Sequence, residues 1–284
     1  MHPNFIFTAR QILWTLTFAS QLLLLVVLLG RDRVKRFPVF TISISLYALR
    51  LLVEVLLAGR LAMLPFNEIL LTLADVASIV SLLVLVEIAR RSFGGLRWPF
   101  WAGGTAVLVV AAVAIEWVWG PWPVWKDMAD FSLLGILRLM QLFAQKAGIF
   151  LDLITVGLGL AVVLFGRRFT GGWRTHAQKI AIGLSTVSLS WLAVQRGWQL
   201  VARSAHPTSQ EEYEHLMDLG SRLVNANKAI YLAVLIWWIF WLWHDENGAG
   251  AVAAVEPETA EAVADGAGVP GDAVAAPEDE TPKS

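Results

Sequence analysis

The chain has no cysteine among its 284 residues. Disulfides, thiolate metal sites and cysteine nucleophiles are thereby excluded. Charge is scarce too: Asp, Glu, Lys and Arg fill 16% of positions, against roughly 25% in an ordinary soluble domain. Common chemical signatures are missing as well. No GxGxxG, P-loop, GxSxG or HExxH occurs, so nucleotide, nucleophile-elbow and zinc-peptidase chemistry have no local signal. None of the five histidines, His2, His176, His206, His215 and His244, stands mid-way along an apolar run, which leaves haem ligation unsupported. His206, Glu211, Glu212, Glu214 and His215 read as a solvated acidic loop rather than a metal site. The last apolar run has no lysine near its middle; Lys228 lies near one end and is expected to snorkel. A retinal Schiff base is therefore not expected, nor any other cofactor or metal. No catalytic set is apparent, so the expectation is a protein that is not an enzyme.

What is present is apolar surface. Residues AVILMFWYC make up 57% of the chain and gather in long runs, the pattern of a membrane protein. Seven helical spans are expected, at about 11–29, 37–57, 66–89, 98–118, 147–165, 180–201 and 223–243. Each approaches the ~20 residues that a ~30 Å hydrocarbon slab requires. The first is too long for a signal peptide's apolar core of roughly 7–15 residues. It is followed by Arg31-Asp32-Arg33-Val34-Lys35-Arg36, a cluster that stops transfer. The fold class is all-α, a polytopic seven-helix bundle in one domain over 1–246. Residues 247–284, rich in Ala, Val, Glu, Pro and Gly, form an acidic tail that cannot bury a core and should be disordered.

Charge is distributed unevenly. From Asp245 onward stand ten acids and one base, −9, which leaves +8 for the body against an overall −1. Connections after the first, third and fifth spans hold eleven bases: Arg31, Arg33, Lys35, Arg36, Arg90, Arg91, Arg97, Arg167, Arg168, Arg174 and Lys179. Lysine and arginine mark the cytoplasmic side. The N-terminus is then outside and the tail inside, in a cell inner membrane whose anionic leaflet suits a basic body. These basic residues serve topology, so nucleic-acid binding has no support. Residues 120–146 and 202–222 are read as long outer segments. Tryptophans 98, 101, 117, 119, 122 and 125 bracket the fourth span as an interfacial belt.

The stretch 131–165 is the most informative. It lacks proline and carries Arg138, Gln141, Gln145 and Asp152 at steps of three, four and seven, which places them on one helical face. Other charges fall inside spans: Arg50 and Glu54 in the second, Asp75 in the third, and Arg196 beside Gln195 in the sixth. At ~1.5 Å per residue, all are expected in the outer half, with Asp152 and Arg196 at nearly one height. A charge in hydrocarbon costs at least ~2.5–3.5 kcal/mol at the centre. These groups should therefore face one another or an aqueous cavity. Two readings stand open: a polar pocket for a small polar ligand from outside, and a buried ion-pair network that fixes helix register. Both use Arg50, Glu54, Asp75, Gln145, Asp152, Gln195 and Arg196. Near the inner surface, Glu87 is read as an interfacial ion-pair partner of Arg90 and Arg91. Gly183, Thr186, Ser190, Ala193 and Gly197 read as a small-residue packing face.

Arg36-Phe37-Pro38 with Arg50, Val86-Glu87-Ile88, Arg138-Leu139-Met140-Gln141, and residues 173–183 give the chain a loose resemblance to a family of bacterial integral membrane proteins. That resemblance implies a seven-helix inner-membrane protein and supplies no activity. The topology is also similar to the seven-helix sensor modules joined to bacterial kinases, but no kinase follows here, which weakens a signalling reading. The functional expectation is a non-enzymatic sensor or scaffold in the lipid bilayer, its tail meeting a cytoplasmic protein. A small-solute transporter or channel is the alternative, and a purely structural bundle the next. The transporter reading is held back by an inner half that offers mainly Thr155, Ser185, Thr186 and Ser188, and by the absence of paired broken helices.

Overall fold

A computed structural model describes residues 9–57, 60–93, 98–119, 132–169, 175–205 and 209–244. The expected disordered tail and the Trp-Pro segment after residue 119 lie outside them. Among the described residues the chain forms eight helices and no strand. They are α1 (Ala9–Gly30), α2 (Arg33–Arg36), α3 (Pro38–Leu57), α4 (Met63–Ser92), α5 (Trp98–Trp119), α6 (Leu133–Phe169), α7 (His176–Ser204) and α8 (Gln210–Trp243). Seven are long and apolar enough to cross a bilayer, all but α2. The chain is thus a multi-pass membrane protein.

Side-chain contacts fix how the helices run. The α3–α4 hairpin pairs Phe40 with Glu87 and Tyr47 with Ser81. On α6 and α7, Thr155 meets Ser185 and Asp152 meets Ser188. On α7 and α8, Gly183 meets Trp238 and Ser190 meets Asn227. Each step forward on one helix is a step back on its neighbour, so these pairs are antiparallel. Helices α1 and α8 run parallel, because Gln21 meets Tyr231 and Arg31 meets Trp243. One end of the bundle therefore collects Arg31 to Arg36, Arg90, Arg91 and Lys179; it is called the basic end below, and the opposite one the far end.

The turn into α3 shows how sequence sets the basic end. Asp32 adopts the left-handed region at φ 52°, which aspartate tolerates better than most side chains. One helical turn follows, so the basic cluster expected as a plain connection is α2. Phe37 is fully buried and lies 5.1 Å from the Arg91 guanidinium. Pro38 then opens α3, where its missing N–H costs nothing.

The dry core occupies the basic half. Leu24, Leu28, Phe40, Ile88, Ile180 and Leu235 are buried there around Trp238, which is 1% exposed. Trp238 meets the Phe40 ring edge-on at 5.2 Å. It also lies directly against Gly183, where any Cβ would overlap its indole. Gly183 is thus required by close approach, as the small-residue face on this helix suggests. Helix α5 stands at the edge and packs mainly on α6.

Two helices extend well beyond a bilayer. At 1.5 Å per residue, the 37 residues of α6 and 34 of α8 run about 55 and 51 Å. Part of the outer segment read as non-helical, residues 210–222, is the start of α8. The reason is local. Ser209 accepts a hydrogen bond from the Glu212 amide, a capping arrangement with Glu211 and Glu212 in the first turn, where carboxylates favour the helix dipole. Gln210 to Glu214 and Asp218 to Arg222 add same-face pairs at 3.0 and 2.8 Å.

Candidate functional site

Glu87 is built into the scaffold of the basic end. Its Oε2 accepts the Phe40 amide at 3.0 Å, while Oε1 lies 3.9 Å from Arg91. The carboxylate therefore caps the first turn of α3 from a neighbouring helix, and its cationic neighbour is Arg91, one helical turn on.

The remaining embedded charges sort by height. Phe40 and Gly183 both touch Trp238, five residues or ~7.5 Å from Trp243. From that level Ser188, and with it Asp152, lies ~7.5 Å higher, roughly at the middle of a ~30 Å slab. Arg50 is about 15 Å above the same level, and Glu54 and Arg196 about 20 Å. Asp75 falls opposite the Arg50–Glu54 turn by the α3–α4 register. The sequence places Asp152 and Arg196 at nearly one height. The α6–α7 register separates them by two helical turns, ~12 Å.

The structure brings some of these residues together and leaves others apart. Arg50, Glu54 and Asp75 share one stretch of the α3–α4 hairpin and are half-buried. Among the described residues no ion pair joins any two of Arg50, Asp75, Asp152 and Arg196. Asp152 is half-buried and faces the Ser188 hydroxyl. Arg196 is held by groups the sequence did not suggest: Nη1 donates to Gln199 Oε1 at 3.2 Å, and the guanidinium lies 5.2 Å over the Trp119 ring. Gln145 is exposed, as are Arg138 and Gln141. The polar stripe of α6 faces outward over its first half and turns inward only at Asp152.

Several polar groups escaped the sequence reading. Glu116, on α5, is 7% exposed, and its Oε1 has no hydrogen-bond partner among the described residues. Lys146 of α6 acts on it electrostatically. A lone acid three residues before Trp119 was the available signal, masked by the tryptophan belt around it. Gln21 donates to the Tyr231 hydroxyl at 3.0 Å, and Tyr47 meets Ser81 at 3.3 Å. With Asp152 and Ser188 these make a polar layer near mid-height drawn from α1, α3, α4, α6, α7 and α8. Uncharged groups in apolar runs carry little sequence signal, which is why this layer was missed.

The far end holds a cleft of about 410 Å³ between α7 and α8. Its walls include Trp191 and Trp198, and its polar groups are Gln195, Ser221, Asn225 and Lys228. Gly220 lets Trp198 approach, since a Cβ there would sit 2.9 Å from the indole. Gln195 is the residue of the expected set that lines this cleft. Among the described residues no group of three or more His, Cys, Asp or Glu could hold a metal ion. Glu211 and His215 are exposed on α8, and His206 lies outside the described residues.

A scan against protein-family models finds no match, and neither does a search of curated proteins or of solved structures.

Proposed function

We propose that the chain is a non-enzymatic membrane binding protein, a sensor or scaffold that takes a ligand at the far end between α7 and α8. The far end is the outer face of a cell inner membrane in this reading, because the other end is the basic one. The observation that carries it is the cleft itself, about 410 Å³ with two tryptophan walls and four polar groups. Such a mix of apolar wall and few polar anchors is typical of ligand sites. Occupancy would alter the α7–α8 contact at the far end, while the Gly183–Trp238 seam holds the basic end fixed. The acidic tail is then available to a cytoplasmic protein.

Protein extracted in lipid nanodiscs and released intact into a mass spectrometer should carry a bound molecule. Val224→Trp, which fills the cleft, should remove it. Identical adduct spectra for the two proteins would end this reading. A transporter is the second reading, supported by Asp152 near mid-bilayer with Ser188, Thr155 and Ser185 along the same seam. Solute flux in proteoliposomes that Asp152→Asn abolished would put it first.

A further inference from the structure

Resting on the cleft as a ligand site, we propose that its occupant is an anionic phospholipid, with the headgroup phosphate on Lys228, Trp198 at headgroup level and an acyl chain descending along Trp191. Lys228 is the one charged residue lining the cleft among the described residues. It stands fifteen residues before Trp243, ~22 Å along α8. In a ~30 Å slab bounded by Trp243, that is ~8 Å below the far boundary. An ammonium at that depth is unfavourable unless an anion or water answers it. Among the described residues no ion pair or hydrogen bond does so. Asp218, the acid of α8 nearest in sequence to Lys228, stands ten residues or ~15 Å away and pairs with Arg222 at 2.8 Å.

The rest of the lining fits a lipid better than a soluble anion. Asn225, Gln195 and Ser221 can donate to phosphate oxygens, while Val194, Leu223 and Val224 offer only apolar contact. Val224, nineteen residues or ~28 Å before Trp243 and so just inside the far boundary, leaves the rim exposed at 37%, so a chain can enter sideways from the bilayer there. Paired tryptophans suit this boundary, having an apolar body and a polar N–H. A small soluble anion would shed its water to reach Lys228 and gain no acyl contact in return.

The test uses the full chain, stripped of lipid, with native mass spectrometry. Phosphatidylglycerol, phosphatidylcholine with the same acyl chains, and palmitate are added separately and in competition. Phosphatidylglycerol should bind about fivefold tighter than phosphatidylcholine, the worth of one lysine against an anionic headgroup. Lys228→Gln should erase that preference, Lys228→Arg should keep it, and Val224→Trp should lose both lipids. Helical content and melting temperature of each variant are measured alongside, and Lys228→Arg serves if Lys228→Gln fails to fold. Equal binding of the two phospholipids to the unaltered protein would overturn the proposal, as would a preference that survives Lys228→Gln. Palmitate displacing phosphatidylglycerol at equal concentration would overturn it too, pointing to a carboxylate ligand. In that case sensitivity to Val224→Trp would show that the cleft itself still binds.

Discussion

The two halves of this bundle are built from the same apolar alphabet and do different things with it. The basic half closes on itself: Phe37, Phe40, Ile88, Ile180, Leu235 and Trp238 are all at most 1% exposed. Glu87, a carboxylate embedded in it, is hydrogen-bonded to a backbone amide. The far half keeps Arg50, Glu54, Asp75 and Arg196 half-buried, and holds the cleft between α7 and α8, which none of these four lines. Inside a bilayer there is little hydrophobic drive between helices, so packing and hydrogen bonds decide association. Where small residues and large aromatics mate, as at Gly183 and Trp238, the bundle is tight. Between the far ends of α7 and α8, where Gln195, Asn225 and Lys228 stand among the lining residues, room for a ligand remains. Stability thus resides at one end and the candidate chemistry at the other.

That contrast can be broken by substitution. The largest effect should come from Gly183→Leu, because its side chain cannot coexist with Trp238. The variant should fail to survive detergent extraction as a folded monodisperse species. Trp238→Ala should follow, with a loss of about 3–5 kcal/mol in reversible unfolding by mixed detergent. The matching change in the far half, Trp198→Ala, should cost under about half of that, since its indole borders an open cleft. Equal losses would erase the distinction between the halves. Glu87→Ala leaves the Phe40 amide without its acceptor and should cost about 1–3 kcal/mol. The smallest effect should be Tyr231→Phe, which removes the hydrogen bond from Gln21; interhelical bonds of this kind average about 0.6 kcal/mol in a membrane.

The sequence carried the architecture well because span length and apolarity act residue by residue. Seven long helices were legible, and Gly183 within a small-residue face already pointed to close packing. Helix continuity was less legible: α8 begins at Gln210 because of the Ser209 cap, a two-residue signal easily lost beside the acidic composition around it. The candidate site was legible in kind and not in arrangement. Charges in apolar runs announce themselves, but their pairing depends on register. Register is set by contacts such as Thr155–Ser185, which no single helix encodes. Glu116 and the Gln21–Tyr231 pair show the same limit for groups whose partners come from distant helices.

The central claim is that the basic half is locked and the far half is adjustable. The cysteine-free chain permits a direct test by double electron–electron resonance, with spin labels on exposed positions. One pair, Leu160→Cys with Ile236→Cys, spans the basic half of α6 and α8; the other, Phe143→Cys with Tyr213→Cys, spans their far half. All four native side chains are exposed, from 46% to 70%. The account predicts a narrow single distance for the first pair in nanodiscs of either phosphatidylglycerol or phosphatidylcholine. For the second pair it predicts a broader distribution that shifts between the two lipids. Equally narrow distances for both pairs, unmoved by lipid, would contradict it.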